Sequence, residues 1–248
     1  MISTVECACV GYGWTTTSRT AMIDWAARIG ISAGRLRLIE NKPGAPEGIA
    51  GDNRALEFSG YSIALEMFEG EGPFVICNDT LLRVHWSQGW ARLIALWLYE
   101  NVGNTRVEIW GDIRQEEIVW EEKPAIYLAS WLWVLPNRAS LDAFKQLLDR
   151  VVNQPLGEPS APYLDYYKNW LGKPWWAGGW YGSPNEAELS RKLKSIRMEH
   201  ALSLEIHRHY PEAMFSLGWN YPYLYRAIRL VDRFLARYHA MKRAFFRL

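Results

Sequence analysis

Short apolar runs alternate with longer stretches of three-to-four spacing along the first two thirds of this chain, the pattern left by strands and helices taking turns. Val5 to Val10 is an apolar segment ending in Gly11-Tyr12-Gly13, and Arg19 to Ile29 follows with Ala21, Met22, Trp25, Ala26 and Ile29 on one helical face. Ser18 is the expected cap of that helix and Gly30 its end. Arg35 to Ile39 predicts a second strand, closed by the turn chemistry of Glu40-Asn41-Lys42-Pro43-Gly44. Strand, helix and strand make a βαβ unit with a right-handed crossover. Beyond a Gly/Pro/Asp-rich loop over residues 44–53, Ala55 to Phe68 has helical spacing through Leu56, Ile63, Leu65 and Met67, and leads into the buried strand Phe74-Val75-Ile76-Cys77.

The second half predicts a buried helix from Trp90 to Tyr99, a strand from Arg106 to Trp110 ending in Gly111-Asp112, and an apolar strand from Ala125 to Leu135. Leu141 to Val151 is an amphipathic helix with Ser140 as its cap. Residues 155–184 change character, because Pro155, Pro159, Pro162, Pro174 and Pro184 and the aromatics between Tyr163 and Trp176 predict an irregular loop lined with rings. Loops of that kind carry specificity. Helix resumes from Glu186 to His209, and from Tyr223 to Phe246 Arg226, Arg229, Arg233 and Arg237 fall at steps of three and four beside Ile228, Val231, Leu235 and Tyr238. The expected architecture is α/β, with a mostly parallel central sheet flanked by helices over residues 1–220 and a basic amphipathic helix over 221–248.

A chain of 248 residues can bury one large core, and no Pro/Ser linker divides it. Its net charge of +1 argues against general nucleic-acid binding, yet residues 221–248 alone carry seven Lys/Arg against Asp232. Cys7, Cys9 and Cys77 are an odd number in apolar segments, which points to reduced thiols and a cytoplasmic setting. Neither a signal peptide nor a spanning apolar window is expected, so contact with a membrane would be peripheral, on the inner face of the cytoplasmic membrane. The 14 Trp and 13 Tyr suit cores, membrane interfaces and the stacking of rings on sugar faces alike.

Candidate chemistry begins where the Phe74 strand stops on Asn78-Asp79-Thr80, because ligands of open α/β sheets bind at the carboxyl ends of strands. A carboxylate there, with small polar neighbours, is suited to holding Mg²⁺ or Mn²⁺ against a diphosphate, and equally to closing a turn by an Asx hydrogen bond. Asp52-Asn53-Arg54 and Glu57 add a guanidinium and further carboxylates to that edge; Arg54 and Glu57, three apart, also suit an ordinary surface pair. G-x-G-x-x-G fails at Thr16, and the phosphate-binding G-x-x-x-x-G-K-[ST], G-x-S-x-G and H-E-x-x-H are missing, which argues against P-loop hydrolysis and zinc.

Gly51-Asp52-Asn53-Arg54-Ala55-Leu56-Glu57-Phe58, then Asn78-Asp79-Thr80, Trp110-Gly111-Asp112, Ser130-Trp131-Leu132-Trp133-Val134-Leu135 and Met198-Glu199-His200-Ala201-Leu202-Ser203, resemble in order the landmarks of bacterial rhamnan-synthesis-type glycosyltransferases. The family reads close to G-G-N-R-G-F-D-F-G at the first block, and Asp52, Ala55 and Ser59 depart from its glycines. The resemblance implies a single glycosyltransferase A domain that moves a sugar, with rhamnose favoured, from a nucleotide-sugar donor to a surface-glycan or lipid-linked glycan acceptor, by inversion in the sense of one direct displacement. It implies that Asn53, Arg54, Glu57 and Asp79 lie round the nucleotide sugar, with a divalent cation on Asp79 and Glu199 at the general-base position; Gly11, Tyr12, Asn41, Asp52, Asn78 and Thr80 are further candidates for donor contact, and Asp112 is the base in reserve. Tyr163, Tyr166, Tyr167, Trp170, Trp175, Trp176 and Trp180 would form an acceptor platform. A non-catalytic carbohydrate-binding module using the same rings is the rival reading. The basic tail suits an anionic membrane surface, or a terminal helix that packs its apolar stripe and exposes its arginines; both can hold together.

Overall fold

The computed structural model describes residues 5–42, 49–101, 103–115, 126–172 and 186–246. Among them, β1 (Glu6–Gly11), β2 (Leu36–Glu40), β3 (Ile49–Ala50), β4 (Phe74–Asn78), β5 (Ile109–Gln115), β6 (Ile126–Leu135) and β7 (Met214–Ser216) form one sheet in the order 3-2-1-4-6-5-7. β1 runs parallel to β2 and β4, β2 to β3, and β5 to β7. Strand β6 is reversed, pairing antiparallel with β4 and β5.

Alternation along β1 divides the core in two, as the period of a strand requires. Cys7 and Cys9 face a layer built by α1 (Thr16–Arg28), α4 (Ser87–Glu100) and α8 (Pro222–Phe246), with Met22, Trp25, Trp90, Trp97 and Ile228 buried there. Ala8 and Val10 face α2 (Glu57–Glu66), α5 (Arg138–Asn153) and α7 (Glu186–His209), with Phe58, Tyr61, Phe144 and Leu202. Trp133 of β6 is fully buried in this second layer, its ring 4.7 Å from Tyr61 and 4.9 Å from Phe144. Each such ring contributes about 1.5–3 kcal/mol by leaving water. All three cysteines are free thiols in the core. No described helix is long and apolar enough to cross a membrane.

Several expectations need correction. Thr15, one turn earlier than expected, caps α1 in a capping box that makes Ser18 its third residue, and Asn137 caps α5 by accepting from Ser140 N–H at 2.9 Å. The stretch expected to be an irregular loop contains α6 (Ala161–Gly172), in which Tyr163, Tyr167 and Leu171, four apart, bury one face against α7. Proline and ring content masked that period. Strand β5 begins at Ile109 and does not stop at Gly111-Asp112; it continues to Gln115 with a register shift between Gly111 and Ile113, so Asp112 sits in a bulge inside the sheet. A Cβ on Gly111 would lie 2.9 Å from the Leu132 carbonyl oxygen, which is why the bulge starts on glycine.

Candidate functional site

The chain leaves β1 toward β2 on one side and returns as β4 on the other, so the sheet changes winding direction between β1 and β4. Val10 lies opposite Asn78 in that pair, and Asp79 N–H donates to the Val10 carbonyl at 3.0 Å. Ligand sites of open α/β sheets lie at such a switch point, outside the carboxyl ends of the strands. A cleft of about 330 Å³ opens there.

Its β1 wall is Gly11 and Tyr12, whose loop is pinned by Glu40 at the end of β2. The buried Glu40 carboxylate accepts from Gly13 and Trp14 N–H, both at 2.8 Å, and from Lys42 N–H at 2.7 Å. Burial alone would push this carboxyl up, but the three N–H groups outweigh it and hold Glu40 below the usual carboxylate range. Asn41, next in sequence, lines the cleft and donates to the Leu56 carbonyl at 2.6 Å, while its buried Oδ1 has no hydrogen-bond partner among the described residues. Gly51 is required beside it, since a Cβ there would meet that oxygen at 1.9 Å.

The loop entering α2 supplies Asn53, Leu56 and Glu57. Asn53 and Leu56 have φ of 51° and 55°, the left-handed region that a branched apolar residue seldom adopts, and strain of this kind concentrates at ligand sites. Glu57 accepts from the Ser195 hydroxyl at 2.6 Å, which ties the loop to α7. Arg54 and Asp52 turn elsewhere. They pair with each other at 3.1 Å, and Arg54 lines a separate groove of about 690 Å³ between the ends of α5 and α7.

At the end of β4, Asn78 Oδ1 accepts from Thr80 N–H at 3.0 Å, so the Asx turn is present and is made by Asn78. That leaves the Asp79 carboxylate to face the cleft, where Arg83 donates to it at 2.9 Å from α3 (Thr80–Arg83). Burial pushes the Asp79 carboxyl up; Arg83 and Tyr12 N–H pull it down without cancelling that, and Glu57 pushes with burial. Arg191, Lys192 and Ser195 of α7 complete the wall. Composition had pointed to Arg54 as the cation of this edge, whereas the cleft's cations are Arg83, Arg191 and Lys192. Two signals could have found them: Arg83 stands four residues after Asp79, and Arg191 and Lys192 stand four and three residues before Ser195, with Glu199 four beyond it, on one helix face.

Glu199 is half-buried one turn beyond Ser195 and accepts from Ser130 N–H at 2.6 Å. Ser130 is held in turn by Tyr61, whose hydroxyl donates to its carbonyl at 2.7 Å. Burial pushes the Glu199 carboxyl up, Arg114 and Lys192 draw it down, and Glu57 raises it again, so Glu57 is in electrostatic reach of both Asp79 and Glu199. Asp112 lies apart from the cleft, fully buried, with Tyr225 at 2.6 Å, Arg229 at 3.0 Å and Trp131 at 3.3 Å as its donors. It anchors α8 and does not line the cleft. Tyr166 and Trp170 pack around Tyr167 on α6 and do not line the cleft. Trp175, Trp176 and Trp180 lie outside the described residues.

The described residues contain no group of three His, Cys, Asp or Glu placed to hold a metal by themselves. Asp79 as a single carboxylate nonetheless suits Mg²⁺, which keeps most of its ligands from phosphate and water. No family model matches the chain, and neither does a curated protein or a solved structure.

Proposed function

We propose that the chain is a glycosyltransferase that takes a sugar from a nucleotide diphosphate donor and passes it to a glycan hydroxyl, with rhamnose favoured by the sequence resemblance alone. The observation that carries this reading is the convergence, in one cleft at the β1–β4 switch point, of the Asp79 and Glu57 carboxylates, three cationic side chains and Ser195 of α7; Glu199, one turn further along that helix, does not itself line the cleft. Arg83, Arg191 and Lys192 would meet the diphosphate, because guanidinium and ammonium groups neutralise the charge that builds on it as it leaves. Asp79 would hold a divalent cation, which when bound adds to that neutralisation. The Asn41 oxygen, without a partner among the described residues, would be an acceptor at the donor-side wall.

In the transfer step the acceptor oxygen forms a bond to the anomeric carbon and its proton passes to Glu199. The bond from that carbon to the diphosphate breaks, and its electron pair departs with the diphosphate. Ser130 N–H fixes the base, and burial that raises its carboxyl matches proton affinity to the task. Calorimetry tests the reading: a nucleoside diphosphate with Mg²⁺ or Mn²⁺ should bind, and Asp79→Ala should weaken that binding. A protein that binds glycan and ignores nucleotide is a carbohydrate-binding module, and the glycosyltransferase reading is then wrong.

A further inference from the structure

Helix α8 presents to solvent a face that solubility does not account for. Tyr223, Leu230, Phe234 and Tyr238 are 82%, 68%, 70% and 49% exposed. With Ala227 they recur at three- and four-residue steps and form one stripe down the helix. A second stripe runs alongside it, made of Arg226, Arg233 and Arg237, all exposed and none with a hydrogen bond or ion pair among the described residues. The face holds no carboxylate, since Asp232, the helix's single acidic residue, is buried inward against His85 at 2.9 Å. On the far side of the arginine stripe, Arg114, Arg226, Arg229 and Arg233 line a groove of about 590 Å³ between α8 and β5.

Single exposed apolar residues are ordinary, but four large ones on one helix face beside a row of exposed arginines are not. A second copy of the chain is a poor occupant, because helix against helix would set arginine against arginine with no acid to receive either. Charge complementarity selects a partner that is both apolar and anionic. We propose that α8 docks the protein on an anionic bilayer surface, its apolar stripe at the acyl boundary and its arginines among the lipid phosphates.

Co-sedimentation of the full chain with vesicles of phosphatidylcholine, alone or mixed with phosphatidylglycerol, tests the proposal. Binding to the mixed vesicles should exceed binding to the neutral ones at least about tenfold and weaken as salt screens the surface. The triple variant Arg226→Glu, Arg233→Glu, Arg237→Glu should lose it, and Leu230→Ser with Phe234→Ser should weaken it about tenfold at unchanged charge, as expected for lost apolar burial. All five positions are exposed, so melting temperature should not move. Equal binding by wild type and variants, or none to either vesicle, overturns the proposal. So does a dimer in light scattering that the double serine variant dissolves, which would give the face to a second copy. Nucleoside diphosphate binding, unchanged in these variants, keeps failure here separate from failure of the glycosyl-transfer reading.

Discussion

Glu199 and Asp79 are both carboxylates lifted by burial, but their surroundings differ. Asp79 faces Arg83, whereas Glu199 receives one backbone N–H at 2.6 Å and feels arginine and lysine at longer range; under the proposed reaction the first suits charge and the second a proton. Because burial lifts Glu199 in the folded chain, the unfolded chain gives up this proton first, from about pH 4.3. Stability therefore falls as pH rises from there to the lifted value, and is flat above it. Glu199→Gln keeps an acceptor for Ser130 and removes the ionisable group. It should be at least as stable as wild type at neutral pH in urea titrations, while transfer drops about 100- to 10,000-fold. A variant that transfers at the wild-type rate would remove Glu199 from its role. Asp79 was legible in the sequence because an apolar run ended on it. Asp112 misled for the same reason: Trp110-Gly111-Asp112 has the look of a strand end, and only the bulge, a tertiary feature, shows that the strand continues.

Helices α6 and α8 teach different lessons about what spacing records. The period of α6 is present in Tyr163, Tyr167 and Leu171, yet Pro155, Pro159 and Pro162 just ahead of it make the segment resemble a loop. The caps were displaced by one turn because Thr15 and Ser18, like Asn137 and Ser140, are both good capping residues, and local preference does not rank them. For α8 the spacing was plain, but its anchor was not, since Asp232 accepts from residues far away in sequence: Trp86 N–H at 2.6 Å, Trp90 at 3.0 Å and His85 at 2.9 Å. Burial would raise this carboxyl, but His85 and the other donors outweigh it and hold Asp232 below its usual range. Its contribution is thus present above the unfolded carboxylate value and lost as pH falls through the folded one. Asp232→Ala strands these donors in a buried site and should cost about 3–5 kcal/mol in denaturant midpoints at neutral pH. The gap to wild type should narrow in acid; a gap independent of pH would mean that packing, and not the ionised carboxylate, holds the helix.

Across the whole molecule, the alternation of strand and helix in residues 5–78 was legible where a strand is an apolar run bounded by turn residues; β3, two residues long, falls in the stretch read as a Gly/Pro/Asp-rich loop and was not. The order of strands beyond β4 was not, since no local pattern marks the reversal of β6 or the short β7. The cleft inherits this split: its strand-end residues could be read in advance, and its α7 wall required the fold. One joint in the assembly has a mechanical meaning. The chain from Asp79 to Trp86 carries the carboxylate and Arg83 of the cleft at one end and, at the other, the His85 and Trp86 groups bonded to Asp232 of α8. A load taken up by the terminal helix is therefore delivered to the cleft through fewer than ten residues. Whatever coupling such a lever carries between a ligand in the cleft and a surface on α8 is reciprocal, one common factor in both affinities. Vesicle titrations with and without nucleoside diphosphate would read that factor, and a value of one would mean that the protein sits on its surface without sensing it.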